Sequence, residues 1–217
     1  MLQALEPLAK KVGRALTSDQ ILEAFARHEA AQQAAHPSLI YSKLLGKVLG
    51  LMAREWGMRA TTEEKGNFGS SIKNWPAFAD SPPALQYLKR HFKLVILSNV
   101  DRESFRSSNA QLKVEFDEIF TAQDIGSYKP DLRNFHYMIS KLEMLGYGKR
   151  DILHTAESLF HDHAPAQKLG MASTWICRRH NKEGFGATSR PAQMPNYTFR
   201  FSSLMEMALA HEKELTN

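Results

Sequence analysis

A single cysteine, Cys177, stands in 217 residues, so no internal disulfide and no cysteine-based metal cluster can form, which fits a reducing compartment. Long apolar runs are equally scarce. The longest strongly apolar stretch is Leu94 to Leu97, far short of the roughly 18 to 20 residues of a membrane span, and no short basic head precedes an apolar stretch as in a signal peptide. The expectation is a cytoplasmic protein with no membrane partner. Aromatic side chains make up 10% of the chain and are not interleaved with the dispersed Lys and Arg residues. A stacking platform for nucleic acid is therefore not expected. The net charge of +5 and pI near 9.3 suit a small anionic substrate instead.

At 43% hydrophobic residues the chain can bury a real core. From Leu2 to about Gly57 its apolar residues recur at helical spacing: Leu2, Leu5 and Leu8, then Ile21, Leu22 and Phe25, then Leu44, Leu45, Val48, Leu51, Met52 and Trp56. The opening Leu2 to Leu16, with Lys10, Lys11 and Arg14 against Glu6, has the charge of a transit peptide but the periodicity of an ordinary amphipathic helix, which we prefer. Thr17, Ser18 or Asp19 can cap the second helix, and Pro37 with Ser38 separates it from the third. Thr61 to Gly69 reads as a loop or short helix.

After Pro82 and Pro83 the texture changes to alternating helix and strand. Ala84 to His91 reads as a helix, and Leu94 to Leu97 as a strand buried on both faces, ending in Ser98-Asn99. Asp101 caps a helix to about Leu112, Glu118 to Thr121 is a second strand, and Pro130 falls in the first turn of a helix running to about Leu145. Asp151 to Ala156 and Ser173 to Cys177 are further strands around a helix from Asp162 to Leu169. A long irregular loop, Arg178 to Pro195, leads to a last strand, Tyr197 to Phe201, and a terminal helix. Such alternation predicts an α/β fold with a doubly wound parallel sheet.

Ligands of open parallel sheets lie beyond the carboxyl ends of the strands, so the residues delivered there are the site candidates. The first strand delivers Ser98 and Asn99 at a helix N-terminus, which favours an anion, although the pair also suits a plain capping turn. The second is followed by Ser127-Tyr128-Lys129-Pro130-Asp131, whose lysine could neutralise a carboxylate or phosphate or be a solvated turn residue. The third runs into Glu157, Ser158, His161, Asp162 and His163, where two acids five residues apart could hold Mg²⁺. The imidazole spacing matches no zinc pattern, and His154 reads as an ordinary polar strand position.

The order of these segments resembles the second, third and fourth motifs of the haloacid dehalogenase (HAD) superfamily. Leu97-Ser98-Asn99 and Tyr128-Lys129-Pro130-Asp131 are similar to the 2-haloacid dehalogenase branch. The resemblance implies a Rossmannoid core at residues 80–217 and a helical cap at residues 1–79. It implies an aspartyl-ester mechanism in which Ser98, Asn99 and Ser158 bind the anionic substrate and Lys129 stabilises the nucleophile, with Asp162 completing the catalytic group. Glu157 and Asp162 would be metal ligands only in a Mg²⁺-dependent phosphatase; a dehalogenase needs no cofactor. The resemblance also implies an aspartate-bearing first strand ahead of the cap, central in the sheet between the strands ending at Ser98 and Ala156. No such strand is written in this sequence, whose first aspartate is Asp19.

Three readings stay open: a hydrolase whose first strand lies outside this sequence, a truncated inactive homologue that binds a small anion or a partner, and a Mg²⁺-dependent phosphatase. The cap and exposed helices could support a homodimer. Lys129→Ala is expected to abolish turnover with little loss of stability.

Overall fold

The computed structural model describes residues 1–13 and 15–216; Arg14, part of the basic opening, lies outside them. The first four helices are α1 (Leu2–Ala9), α2 (Ser18–Ala35), α3 (Tyr41–Glu55) and α4 (Thr62–Ser70). Thr17 and Thr61 each close a capping box, with Gln20 and Glu64, satisfying N–H groups that would otherwise be orphaned at the starts of α2 and α4. The segment read as a loop or short helix is thus α4, started by its own cap. The apolar stripes of α2 and α3 meet around Phe25, Leu44, Leu45, Val48 and Met52, all buried, and this core continues into Ala122 and Tyr128 of the later half. α3 and α4 approach closely because glycine stands at the contact: a Cβ on Gly69 would lie 2.3 Å from the Ser42 carbonyl oxygen.

The remainder alternates helix and strand: α5 (Ser81–Lys89), β1 (Val95–Ser98), α6 (Arg102–Leu112), β2 (Glu118–Thr121), α7 (Ala122–Ile125), α8 (Leu132–Glu143), β3 (Leu153–Ala156), α9 (Ala164–Lys168), β4 (Ala172–Ile176), β5 (Phe199–Phe201) and α10 (Leu204–Thr216). α5 starts ahead of the expected Ala84 because Pro82 and Pro83 fit a first turn, where no N–H is needed. Pro130, expected inside the first turn of α8, instead precedes its N-cap, Asp131, whose side chain accepts from Arg133 N–H. The helix expected from Asp162 opens earlier, as a π-helical turn over Leu159–His163. α7, a single capped turn on Thr121 and Asp124, is too short to leave a periodic signal.

Every strand pairing is parallel, as expected, but the strands form two sheets: β1 with β2, and β3 with β4 and β5. The division falls between the strands ending at Ser98 and Ala156. β1 and β3 each carry one strand neighbour among the described residues, and all four residues of β1 are only half-buried, which corrects the expectation of a strand buried on both faces. A strand paired on one edge keeps its other row of backbone groups open. Leu97, at the carboxyl end of β1, gives its carbonyl to the Lys129 ammonium rather than to a strand.

Candidate active site

The turn between α7 and α8 projects Lys129 across the division between the two sheets. Asn99, just past β1, fixes that turn from both sides: its Nδ2 donates to the Lys129 carbonyl (3.0 Å) and its Oδ1 accepts from Lys129 N–H (2.7 Å). The Lys129 ammonium then donates to Leu97 O (2.8 Å) and to Asp162 Oδ1 (2.7 Å), and His154 Nε2 lies 2.9 Å from the same oxygen. Lys129 and Asp162 are 8% and 5% exposed. Burial alone would push the Asp162 carboxyl up, but Lys129 and His154 beside it outweigh that and hold it well below the usual carboxylate range. An ammonium has three N–H donors; two are engaged here, leaving one for an anion.

Burial of this pair corrects the expectation that Lys129→Ala leaves stability largely intact. A buried ion that loses its partner is strongly destabilising. Ser98 accepts from Val100 N–H at 3.4 Å and is half-buried, so its O–H is free to donate. Asn99, expected to contact substrate, has both polar atoms engaged with the Lys129 backbone and acts first as a clamp on that residue. Ser158 caps the π-helical turn, accepting from His161 N–H at 3.0 Å and sitting 3.2 Å from His161 Nδ1.

Burial lowers His161 to about 4, so its ring is neutral, with Nε2 placed 3.1 Å from Gln33 Oε1 of α2. His163 is fully buried between Ser173 Oγ and the Ala156 carbonyl. These two imidazoles are occupied by protein partners. Burial, with the Asp162 charge behind it, raises Glu157 to about 7. Glu157 borders a cavity of about 260 Å³ that also touches Trp175, Cys177 and Arg179. Glu157 and Asp162 fit a divalent cation poorly as a pair: Asp162 Oδ1 already takes the ammonium and an imidazole. Among the described residues no three His, Cys, Asp or Glu side chains converge to hold a metal ion.

Asn99, Lys129, Leu97 O and Asp162 are therefore joined by hydrogen bonds, with Ser98 following Leu97 in the chain, while Ser158 and Glu157 belong to the adjoining turn. Sequence reasoning missed Gln33, a buried residue of α2 whose Nε2 has no hydrogen-bond partner, because a glutamine within an amphipathic helix gives no signal of its own. His154, read as an ordinary strand residue, is a direct partner of Asp162 across 8 residues.

No family model matches the sequence, and no curated protein matches it. Solved structures do. A dehalogenase with an intermediate complex superposes with a TM-score of 0.75 at 20% identity, over 96% of this chain and 90% of that one. The L-2-haloacid dehalogenase from Xanthobacter autotrophicus with chloropropionic acid covalently bound gives 0.75 at 14% identity, over 97% and 92%. A HAD phosphatase from Thermococcus onnurineus gives 0.55 at 19% identity, over 97% and 87%. With strand, turn and lysine arranged as described, these likenesses establish that the chain has the fold of the haloacid dehalogenases, a HAD-like α/β core joined to a helical region.

Proposed function

We propose that this chain forms the cap and core of a hydrolase of the 2-haloacid dehalogenase type, acting on a small anionic substrate through an aspartyl ester. The observation that carries the reading is the buried Lys129 ammonium, held by Leu97 O and Asp162 across the division between β1 and β3, with one donor left for an anion. In that reaction a carboxylate oxygen attacks the carbon bearing the halogen, the carbon–halogen bond breaks with its electron pair leaving as halide, and water then cleaves the ester. Ser98 O–H and the third Lys129 N–H would hold the substrate carboxylate or the attacking one, at no reorganisation cost.

The attacking carboxylate is not supplied by the aspartates nearest in sequence to the expected position. Asp19 pairs with Arg179 on the surface, Asp80 pairs with Arg178 and accepts from Leu204 N–H, and Asp101 caps α6 while accepting from Ser42 N–H. The reading therefore requires an extended segment between β1 and β3 that carries an aspartate at its carboxyl end beside Lys129. Such a segment would also pair the open edges of both strands. A phosphatase needs Mg²⁺, for which Glu157 and Asp162 are a poor pair, so we rank it lower. A binding protein without turnover keeps Ser98 and Lys129 but dispenses with the aspartate.

The test is halide release from 2-chloropropionate by the protein isolated from its native source, with intact mass measured on the same sample. Turnover from a species heavier than 24.6 kDa, lost in Lys129→Ala, is the expected outcome. A native mass of 24.6 kDa with no halide release would overturn the hydrolase in favour of the binding protein, and chelator-sensitive cleavage of phosphate esters would overturn it in favour of the phosphatase.

A further inference from the structure

A second concave surface lies away from Lys129. α3, α4 and the start of α6 enclose an open groove of about 1020 Å³ lined by Lys43, Lys47, Arg54, Arg59, Lys65 and Lys73. None of Ser98, Asn99, Lys129, Glu157, Ser158 or Asp162 borders it. In sequence these cations are dispersed over 31 positions, Lys43 to Lys73, and look like ordinary solvated faces. The fold gathers them because Lys43, Lys47 and Arg54 follow one another at helical spacing along α3, while Lys65 and Lys73 follow one another along α4 and the turn after it.

Two observations mark this groove. The first is the concentration of unpaired cations on one concave surface. Elsewhere some exposed cations have acidic partners, as Lys10 with Glu6, Lys11 with Glu64, Arg27 with Glu55, Lys89 with Asp117 and Arg102 with Asp124, and others, such as Lys168 and Lys213, have none among the described residues. None of the six groove cations forms an ion pair among the described residues, and of the two acids that border the groove Asp101 is occupied by Ser42 and Ser104 N–H, leaving Glu103. The second observation is placement. A Cβ on Gly50 of α3 would lie 2.9 Å from Lys65 Cε and 3.6 Å from its Nζ, and a Cβ on Gly46 would lie 3.0 Å from the Lys65 carbonyl oxygen. The two glycines admit the Lys65 backbone and stem against α3, so that its exposed side chain lies along the wall of the groove.

We propose that this groove binds a short polyphosphate chain, free or as the tail of a phosphate ester. Lys43 and Arg54 are separated by roughly 16 Å along α3 at the helical rise of ~1.5 Å per residue, a span that one carboxylate or one phosphate cannot bridge and a chain of phosphates can. Like charges held this close without partners raise the potential between them, which an extended polyanion relieves at several points at once. A nucleic-acid strand fits less well because no aromatic side chain lines the groove to stack a base.

The experiment is isothermal titration of the whole chain with sodium tripolyphosphate, ATP and a single-stranded oligonucleotide at low salt and at 0.2 M salt. We expect saturable binding of tripolyphosphate that weakens at least tenfold with added salt. Lys47→Glu with Lys65→Glu should weaken it at least tenfold with unchanged circular dichroism, whereas Lys168→Glu with Lys213→Glu, two exposed cations outside the groove, should change it less than twofold. Gly50→Ala, which displaces only the end of the Lys65 side chain, should weaken it about threefold without loss of Tm. ATP binding as tightly as tripolyphosphate identifies the phosphate chain as the recognised element. No saturable heat, equal losses in the two charge-reversed pairs, or an oligonucleotide bound tenfold tighter than either phosphate compound would overturn the proposal.

Discussion

Replacing Lys129 by methionine keeps the aliphatic stem and removes the ammonium, so it isolates what the charge does for the fold. In the wild type Asp162 is 5% exposed, and its Oδ1 accepts from Lys129 at 2.7 Å and faces His154 Nε2 at 2.9 Å. Without the ammonium the carboxylate keeps only the imidazole, and Leu97 O loses its donor. Removing one partner of a buried pair costs about 3 to 5 kcal/mol, against a total stability on the order of 5 to 15 kcal/mol. For a chain of this length that is a fall in Tm of roughly 6 to 20 °C. The pH dependence gives the cause. In the wild type the Asp162 pKa is depressed, so its stabilisation is present above the unfolded carboxylate value of about 3.9 and is lost as pH falls through the folded one. In Lys129→Met burial prevails and the Asp162 pKa rises, so the deficit is largest at neutral pH and shrinks as acid protonates Asp162. Urea unfolding at pH 7 and pH 4.5 measures both quantities. The double variant with Asp162→Asn, which removes the charge left behind, should recover at least half of the loss at pH 7. A loss under about 1 kcal/mol at pH 7, or one equal at both pH values, would refute the reasoning.

Glu29, buried against the Tyr41 hydroxyl, is raised by burial to about 7, as is Glu157. The folded state therefore holds protons that the unfolded state has released between about pH 4.3 and 7, and stability falls as pH rises through that window. Glu29→Gln should reduce this decline in the urea midpoint between pH 5 and 8, leaving the part due to Glu157, and an unchanged slope would count against the assignment. Gly69→Ala places a Cβ 2.3 Å from the Ser42 carbonyl oxygen and should cost about 1 to 3 kcal/mol or more. Gly66→Ala meets nothing within 4 Å and should gain up to about 1 kcal/mol; thermal melts that rank the two the other way would contradict the packing of α3 on α4. Ser98→Ala should weaken binding of a haloacid anion by about 1 to 3 kcal/mol through the lost hydroxyl, and an unchanged Kd would remove Ser98 from the site.

Much of the local structure was written in the sequence, because its causes are local. Thr17 and Thr61 carry their capping partners three residues on, Asp101 caps α6, and the Glu118–Thr121 strand has the bounds its β-rich composition suggests. The order of elements and the parallel pairing followed from alternation of helix and strand, and the candidates Ser98, Asn99, Lys129 and Asp162 from their places at strand ends. Tertiary structure decided which partners those residues keep. Asn99 turned out to clamp the Lys129 backbone, and His154 to share Asp162 with the lysine, because the chain brings together segments 30 and 8 residues apart, which no periodicity encodes. Gln33 reaches His161 across 128 residues, and six cations that look scattered along the chain line one groove because two glycines let α3 and α4 approach. The half-buried state of β1 was likewise beyond sequence reading: an apolar run reports that a strand favours burial, whereas how much of it is covered depends on which strands pair with its two edges.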